Sequence, residues 1–336
     1  MNGMTENIQF DEHVLADEVA RVCATFAEVL QLPQVDQADN FFNLGGDSFD
    51  AIRVMSRLSC NLPIVTLFEH PTAAGLARRI LGEATRQTAR LVCFGDAQAA
   101  AGSTAVIAVP FGGGDATAYR SLFQGNPQVQ VFGVDFADFE VEDALDFHAL
   151  LDILASEIEA IGAAHLLIYG HCAGAATAAS IASNLADSHK RLSLVVAASR
   201  PVLDADAAIR AAETTSDQTW TDYLRSLGAF TGLLDTQVES MLARGRRDHL
   251  IACEAYRYLA QRPAHGVPAL VLLGDEDPAT AEPEVVLEQW GKFIDVTQAA
   301  TLAGGGHYFV RTHAPEVEET VLAFAAHNTK GRDSKS

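Results

Sequence analysis

A cysteine stands at the centre of the sequence Gly-His-Cys-Ala-Gly at 170–174, between an apolar run and a stretch of small residues. The apolar run 166–169 predicts a buried strand, and the small residues 175–185 predict a helix. Glycines on both sides of a nucleophile allow a sharp strand-to-helix turn without a clash. The N-terminus of the helix favours negative charge and so promotes the thiolate. We therefore predict that Cys172 is a nucleophile and not an inert buried thiol.

A thiol nucleophile needs a general base, and the base needs an acid that orients it. His307 follows a run of three glycines late in the chain and is the predicted base. Three aspartates remain open as the acid. Asp277 is the preferred candidate, Asp275 in the same loop is its close competitor, and Asp204 is the weaker candidate. A solvated acidic loop at 274–278 without a catalytic role is the alternative interpretation.

Acyl transfer also needs backbone N–H donors for the oxyanion that forms during the reaction. The predicted donors are Ala173, which follows the nucleophile, and Gly112, in the sequence Pro-Phe-Gly-Gly-Gly at 110–114. His171 adjoins the nucleophile and is expected to point elsewhere. No group of cysteines and histidines has the spacing of a metal site, so no metal is predicted.

A second candidate site lies near the N-terminus, in the sequence Leu-Gly-Gly-Asp-Ser at 44–48. The two glycines allow a tight turn, and the aspartate favours the N-terminus of a helix. This arrangement predicts that Ser48 is exposed at the beginning of a helix, where a modifying enzyme can reach it. A serine that only caps the helix is the alternative, since such serines are common.

The elements around this serine are predicted to form a small helical bundle over 11–82. A first helix carries an apolar stripe of helical spacing, which consists of Leu15, Val19, Val22, Phe26 and Val29. A second helix begins near Ser48, and its predicted apolar face consists of Phe49, Ile52, Met55 and Leu58. A last short helix begins after Thr72, its predicted N-cap, and ends near Ile80.

Residues 83–103 lose this pattern and are predicted to be a linker with a possible first strand at 91–94. From 104 to 327, apolar runs alternate with helical stretches, which predicts a mostly parallel sheet with helices on both faces. The segment 203–265 interrupts the alternation and is predicted to be a helical lid. The predicted fold class is therefore α/β, preceded by a helical bundle.

Composition limits the classes of function. The 336 residues with 49% hydrophobic content suffice for two cores, and no apolar run is long enough to span a membrane. The acidic residues 1–17 lack the pattern of a secretory signal. The net charge of −21 argues against a nucleic-acid partner, and five widely spaced cysteines are typical of reduced thiols. We expect a cytoplasmic protein that has no membrane and no nucleic-acid partner.

The sequence Phe-Phe-Asn-Leu-Gly-Gly-Asp-Ser-Phe at 41–49, with Leu-Phe-Glu-His-Pro-Thr at 67–72, closely resembles the peptidyl carrier domains of nonribosomal peptide synthetases. The resemblance covers about residues 11–82. It implies that Ser48 bears 4′-phosphopantetheine as a covalent cofactor, whose thiol holds a peptidyl thioester. It also implies upstream synthetase modules and a phosphopantetheinyl transferase as partners.

Residues 104–327 resemble the type I thioesterase domains that end these synthetases. The resemblance rests on the nucleophile elbow around Cys172, the loop at 110–114, the lid position and Gly-Gly-His-Tyr-Phe at 305–309. It implies an α/β-hydrolase domain that releases the peptide through an acyl-enzyme. Such domains usually have serine as the nucleophile. Many also have their acid directly after the strand that follows the elbow helix, where this chain has none before Asp204.

The sulfur nucleophile bears on the kind of release. A cysteine acyl-enzyme is a thioester and keeps more of the acyl activation than an ester does, which helps when the second step closes a strained ring. The few thioesterase domains that this one resembles in having cysteine make β-lactam or β-lactone rings. We therefore predict intramolecular cyclisation to a small strained ring. Hydrolytic or macrocyclising release is the alternative, and a non-catalytic domain that docks a carrier is the alternative from another class.

Overall fold

The structure, a computed structural model, describes residues 12–58, 62–81, 89–94, 103–120, 122–123, 126, 128–136, 146–230 and 235–330. The chain divides into two compact units, Met1–Gln87 and Thr88–Ser336, and each is described by itself. The division falls within the predicted linker 83–103, most of which lies outside the described residues. The strand predicted at 91–94 lies in the second unit, which therefore begins earlier than residue 104.

The N-terminal unit packs its helices around one apolar core. The helices are α1 (Glu12–Leu30), α2 (Ser48–Leu58), α3 (Val65–Glu69) and α4 (Ala73–Ile80). The stripe predicted on α1 supplies Val22 and Phe26 to this core, and the Phe26 ring packs 4.8 Å from that of Phe41. Thr72 caps α4, as predicted, because its hydroxyl accepts a hydrogen bond from the amide of Gly75 at 3.1 Å.

Helix α2 buries a face that differs from the predicted one. Phe49 and Ile52 are 75% and 54% exposed, so the prediction is wrong for these two residues. The buried stripe also has helical spacing and consists of Ala51, Val54, Met55 and Leu58. Two overlapping stripes of period 3.6 fit the sequence of α2, and only packing within the bundle selects between them.

The second unit contains a seven-stranded sheet among the described residues. Its strands are β1 (Ala89–Phe94), β2 (Thr104–Val109), β3 (Val129–Phe136), β4 (His165–His171), β5 (Arg191–Ala197), β6 (Ala264–Gly274) and β7 (Ile294–Leu302). The spatial order is β1-β3-β2-β4-β5-β6-β7, in which β1 runs antiparallel to β3 and the other neighbours are parallel. The prediction of a mostly parallel sheet is confirmed. The sequence pattern does not predict β7, because this edge strand is largely exposed.

The register of the central strands brings three loops to one edge of the sheet. Val109 of β2 pairs with Gly170 of β4, and His171 of β4 pairs with Ala197 of β5. The loop at 110–114, the turn after β4 and the loop after β5 therefore lie side by side. Ligands of parallel α/β sheets bind at this carboxyl edge of the strands.

Helices cover both faces of the sheet. On one face, core residues come from α5 (Phe147–Glu159), α6 (Gly174–Asn184), α9 (Asp235–Gln261) and α10 (Pro283–Trp290). On the other face, core residues come from α8 (Asp217–Ser226), α9, α11 (Phe309–Thr312) and α12 (Ala314–Lys330). Together with the helical bundle, this architecture confirms the predicted fold class.

The segment predicted as a lid also contributes residues to the core of the second unit. It comprises α7 (Ala205–Thr214), α8 and α9, but the second half of α9 contributes Ile251, Ala255 and Leu259 to the core beneath the sheet. The part that lies over the carboxyl edge is therefore shorter than the predicted range 203–265. Hydrophobic periodicity cannot separate a lid helix from a core helix, because both present one apolar face.

Two glycines allow β4 and α6 to meet at a sharp turn. A Cβ atom at Gly170 would lie 2.4 Å from the carbonyl oxygen of Gly174. A Cβ atom at Gly174 would lie 2.4 Å from the carbonyl oxygen of Pro110. Both obstacles are backbone atoms, so a side chain at either position requires the strand or the loop to shift.

We expect the substitution Gly174→Ala to lower the free energy of unfolding of the second unit by about 1–3 kcal/mol, because the methyl group overpacks the turn. Urea unfolding followed by tryptophan fluorescence measures this, since both tryptophans lie in that unit. Gly291→Ala is the matched control: Gly291 has a φ of −57°, and its added Cβ would meet the nearest atom at 3.4 Å. Equal stability of the two variants would contradict this account.

Candidate active site

Cys172 lies at the turn between β4 and α6 in a strained backbone conformation. Its φ is 54°, in the left-handed region that residues other than glycine seldom adopt. Its amide donates a hydrogen bond to the carbonyl of Ala197 at 2.9 Å, and its carbonyl accepts one from the amide of Ala175 at 3.1 Å. These bonds hold the conformation in place. Cys172 is half-buried and lines a cavity of about 360 Å³.

His307 and Asp277 form a buried hydrogen-bonded pair. The Nδ1 atom of His307 lies 3.0 Å from both carboxylate oxygens of Asp277, and the two residues are 3% and 1% exposed. Asp277 also accepts hydrogen bonds from the amide of Ala279 and the hydroxyl of Thr280. Burial raises the pKa of Asp277, but its hydrogen bonds and the charge of His307 outweigh this and lower that pKa overall.

The other two candidate acids lie elsewhere. Asp275 is exposed. Asp204 is exposed as well, and its carboxylate caps α7 by accepting a hydrogen bond from the amide of Ala207 at 2.9 Å. Among the described residues, the structure brings only Asp277 to the imidazole of His307.

The pKa of His307 reflects opposing effects. Burial lowers the pKa, whereas the charge of Cys172 and the hydrogen bonds with Asp277 raise it, to about 10 overall. The Nε2 atom is buried, and no hydrogen-bond partner is found for it among the described residues. The buried carboxylate of Asp277 therefore favours the protonated form of the His307 imidazole.

Gly112 and Ala173 lie next to each other in the wall of the cavity. A Cβ atom at Gly112 would lie 3.5 Å from the Cβ of Ala173. The amide of the next residue, Gly113, is already engaged, because it donates to the carboxylate of Asp248 at 2.8 Å. In the part of the chain that the structure describes, no acceptor is found for the amides of Gly112 and Ala173. Both residues thus offer an amide donor in the wall of the cavity that Cys172 also lines.

The walls of the cavity are mostly apolar and aromatic. Among the side chains that line it are Trp220, Tyr223, Tyr256 and Tyr308. Helices α8 and α9 supply much of this lining, so the cavity is covered by the segment inserted between β5 and β6. Such walls suit an acyl chain with apolar groups and limit the entry of water.

His171 supports His307, a role that the sequence interpretation missed. His171 is fully buried, and its Nε2 atom donates a hydrogen bond to the carbonyl oxygen of His307 at 2.7 Å. Burial and the charge of His307 lower the pKa of His171 to about 3, so its ring is neutral. A histidine at the end of the buried strand β4 is the sequence signal that could have revealed it, because a buried ring nitrogen requires a partner.

In the N-terminal unit, Ser48 is the first residue of α2, and the cap of this helix is supplied by its neighbour. The carboxylate of Asp47 accepts hydrogen bonds from the amides of Phe49 at 2.8 Å and Asp50 at 2.9 Å. The side chain of Asp47 therefore caps α2. Asp47 and Phe49, which flank Ser48 in the sequence, are exposed.

Residues 104–324 match the family described as thioesterase domain. The chain belongs to this family. Residues 20–80 match the family described as phosphopantetheine attachment site, so the N-terminal unit of this thioesterase chain is a carrier domain that bears covalent phosphopantetheine. None of the described helices is long and apolar enough to cross a membrane. No group of side chains among the described residues could hold a metal ion.

Curated relatives match a short part of the chain. A dimodular nonribosomal peptide synthase of Bacillus subtilis is 51% identical over 63 residues, which are 18% of this chain and 3% of that protein. Malpibaldin synthetase of Mortierella alpina is 44% identical over 61 residues, which are 17% of this chain and 1% of that protein. The chain thus spans a few per cent or less of the length of these relatives.

Solved structures resemble the second unit. The type II thioesterase BorB from the borrelidin biosynthetic cluster superposes with a TM-score of 0.54 at 23% identity, over 70% of this chain and 97% of that one. RedJ with a PEG molecule bound in its active site gives a TM-score of 0.51 at 25% identity, over 66% of this chain and 91% of that one. These similarities show the α/β-hydrolase fold of the unit.

We expect Asp277→Asn to lower kcat for a synthetic aminoacyl-pantetheine thioester by about a thousandfold or more, because the imidazole of His307 loses the carboxylate that sets its tautomer and stabilises its charge. Steady-state release of the free thiol measures this. Asp275→Asn is the matched control from the same loop and should stay close to wild type. A near-normal rate for Asp277→Asn, with an inactive Asp204→Asn, would instead assign the acid to the loop after β5.

Proposed function

We propose that this chain releases a peptidyl group from its carrier thioester through an acyl-enzyme on Cys172, and that the release closes a small strained ring. The observation that carries the proposal is the strained cysteine elbow beside the buried pair of His307 and Asp277. The carrier domain in the same chain supplies the tethered thioester, with Ser48 as the proposed attachment residue. The tether raises the local concentration of the acyl group at the next site. Upstream synthetase modules and a phosphopantetheinyl transferase are the partners that this function requires.

The first step transfers the acyl group to sulfur. The thiolate of Cys172 attacks the carbonyl carbon of the substrate thioester, and the amides of Gly112 and Ala173 donate hydrogen bonds to the oxyanion that forms. When this adduct collapses, the bond to the departing sulfur breaks and His307 gives its Nε2 proton to that sulfur. Asp277 holds the imidazole through Nδ1 during the transfer.

The second step frees the enzyme. A nucleophilic N–H or O–H group of the bound chain attacks the thioester on Cys172, and His307 accepts its proton through Nε2. The bond between the carbonyl carbon and Sγ then breaks, which restores the thiolate–imidazolium pair and leaves a cyclic product. Water in place of the internal nucleophile gives the hydrolysed product by the same route.

Two observations favour internal attack. A thioester on Cys172 conserves the activation of the carrier thioester, which a strained product requires. The aromatic walls of the cavity, with Trp220 and Tyr223 from α8, limit the access of water to the acyl-enzyme. Hydrolytic or macrocyclising release is the second candidate of the same class. A non-catalytic domain that only docks a carrier is disfavoured, because a complete set of nucleophile, base and acid candidates, Cys172, His307 and Asp277, is present.

Carrier modification gives a direct test in the N-terminal unit. We expect a phosphopantetheinyl transferase with coenzyme A to add one arm to the wild-type chain and none to Ser48→Ala, as read by intact-protein mass spectrometry. Ser56→Ala on the same helix is the control and should be modified like wild type. If Ser48→Ala gains the arm to the same extent, the attachment residue lies elsewhere.

The partition between ring closure and hydrolysis tests the role of sulfur. Cys172→Ser should still accept acyl groups, because the turn and the amides of Gly112 and Ala173 remain. Its oxyester is less activated, so attack that closes a strained ring should slow more than attack by water, and the ratio of cyclic to hydrolysed product should fall. Each 1.4 kcal/mol or so of lost activation is roughly a tenfold change in rate.

Mass spectrometry of the products from a synthetic peptidyl-carrier substrate measures this ratio. Cys93→Ser, which changes a half-buried thiol on β1, is the control and should keep the wild-type ratio. If Cys172→Ser cyclises as efficiently as wild type, sulfur does not serve ring closure, and release by hydrolysis or macrocyclisation becomes the better account.

A further inference from the structure

A buried ion pair on α9 lies beside the active site but does not line its cavity. Arg247 and Asp248 are 7% and 5% exposed, and they are neighbours in the chain. The Nε and Nη2 atoms of Arg247 donate to one carboxylate oxygen of Asp248 at 3.1 and 2.9 Å. The second carboxylate oxygen accepts a hydrogen bond from the amide of Gly113 at 2.8 Å. Both oxygens of this carboxylate are therefore occupied.

The desolvation of two buried charges is expensive, and a buried ion pair by itself is weak evidence of a stabilising contribution. This ion pair is distinctive because Asp248 also binds a group outside the pair, the amide of Gly113. Gly113 belongs to the loop at 110–114, in which the preceding residue is the candidate oxyanion donor Gly112. A hydrogen bond from an amide to a carboxylate is stronger than one to a neutral acceptor, so Asp248 holds this loop firmly.

The loop needs such an anchor because of its sequence. Three consecutive glycines at 112–114 populate many backbone conformations, and only a few of them turn the amide of Gly112 towards Cys172. Gly113 has a φ of 80°, and a Cβ atom there would lie 2.5 Å from the carbonyl oxygen of Met241 on α9. The loop therefore packs closely against α9 at Gly113, the residue whose amide Asp248 binds.

We propose that Asp248 is a positioning residue for the oxyanion hole: by binding the amide of Gly113, its carboxylate fixes the peptide that follows Gly112 and so directs the amide of Gly112 at the acyl oxygen. This inference rests on the proposed function. Because the peptide between the two glycines is planar, the direction of the Gly113 N–H bond fixes one side of Gly112. Arg247 balances the charge of Asp248, and its Nη1 atom donates a hydrogen bond to the carbonyl of Phe136 at 3.5 Å.

The test uses two double variants that both remove the ion pair. In Arg247→Met/Asp248→Asn, the amide oxygen of the asparagine still accepts from Gly113. In Arg247→Met/Asp248→Leu, a side chain of similar shape offers no acceptor. Both variants remove the two charges of this pair together, so neither leaves Arg247 or Asp248 charged without the other.

Two rates on the full-length chain separate positioning from general damage. Acylation of Cys172 by a synthetic aminoacyl-pantetheine thioester forms an oxyanion, whereas alkylation by iodoacetamide does not. We expect the asparagine variant to keep kcat within about threefold of wild type. Loss of a single oxyanion donor costs about 10²–10³ in kcat, so the leucine variant should lose about ten- to a hundredfold in kcat with little change in KM. Alkylation should proceed at the wild-type rate in both variants.

Equal acylation rates for the two variants would overturn the inference, and so would a parallel fall in alkylation, which indicates damage to the pair of Cys172 and His307. If the leucine variant fails to fold by tryptophan fluorescence, Arg247→Met/Asp248→Ala replaces it, because it also removes both charges and offers Gly113 no acceptor. Its kcat should fall about ten- to a hundredfold with unchanged alkylation, and wild-type kcat would overturn the inference. A wild-type chain that is never acylated on Cys172 would instead overturn the proposed function itself.

Discussion

The backbone of Cys172 is the constraint on which the site depends. With a φ of 54°, the residue projects from a turn that exists only because Gly170 and Gly174 leave no side chain between strand, loop and helix. The hydrogen bond from the amide of Cys172 to Ala197 ties this turn to the neighbouring strand. The loop at 110–114 lies on the other side, in register with the end of β4. A shift of the turn would therefore displace Cys172 and the backbone amides of Gly112 and Ala173 together.

The titratable side chains beside the same turn are buried, and burial determines which of them can carry charge. His307 and Asp277 are almost inaccessible to water, and each would be costly to charge alone in that environment. Their hydrogen bonds and the charge of Cys172 raise the pKa of His307 to about 10. The neutral ring of His171 donates a hydrogen bond to the backbone carbonyl of His307. His307 is thus held at its backbone carbonyl and at Nδ1, while no hydrogen-bond partner is found for Nε2 among the described residues.

The place of the acid follows from the order of the strands. β5 and β6 are parallel neighbours, and the amide of Ala198 after β5 donates to the carbonyl of Leu272 in β6 at 3.0 Å. Loops after either strand can therefore bring a carboxylate to the same imidazole. In this chain the loop after β5 begins with small and basic residues, and Asp277 after β6 holds His307.

Local sequence determined which residues are chemically competent. The sequence shows the glycine spacing around Cys172, the glycine-rich loop and the late histidine directly. These motifs can be recognised because they depend on short-range backbone geometry. It also determined the α/β alternation, because buried parallel strands must be apolar throughout. Tertiary packing decided the buried face of α2, the division of 203–265 into cover and core, the choice of Asp277 over Asp275, and the contacts of His171 and Asp248. Each of these depends on partners distant in sequence, and a one-dimensional pattern does not encode which distant groups come within hydrogen-bond distance.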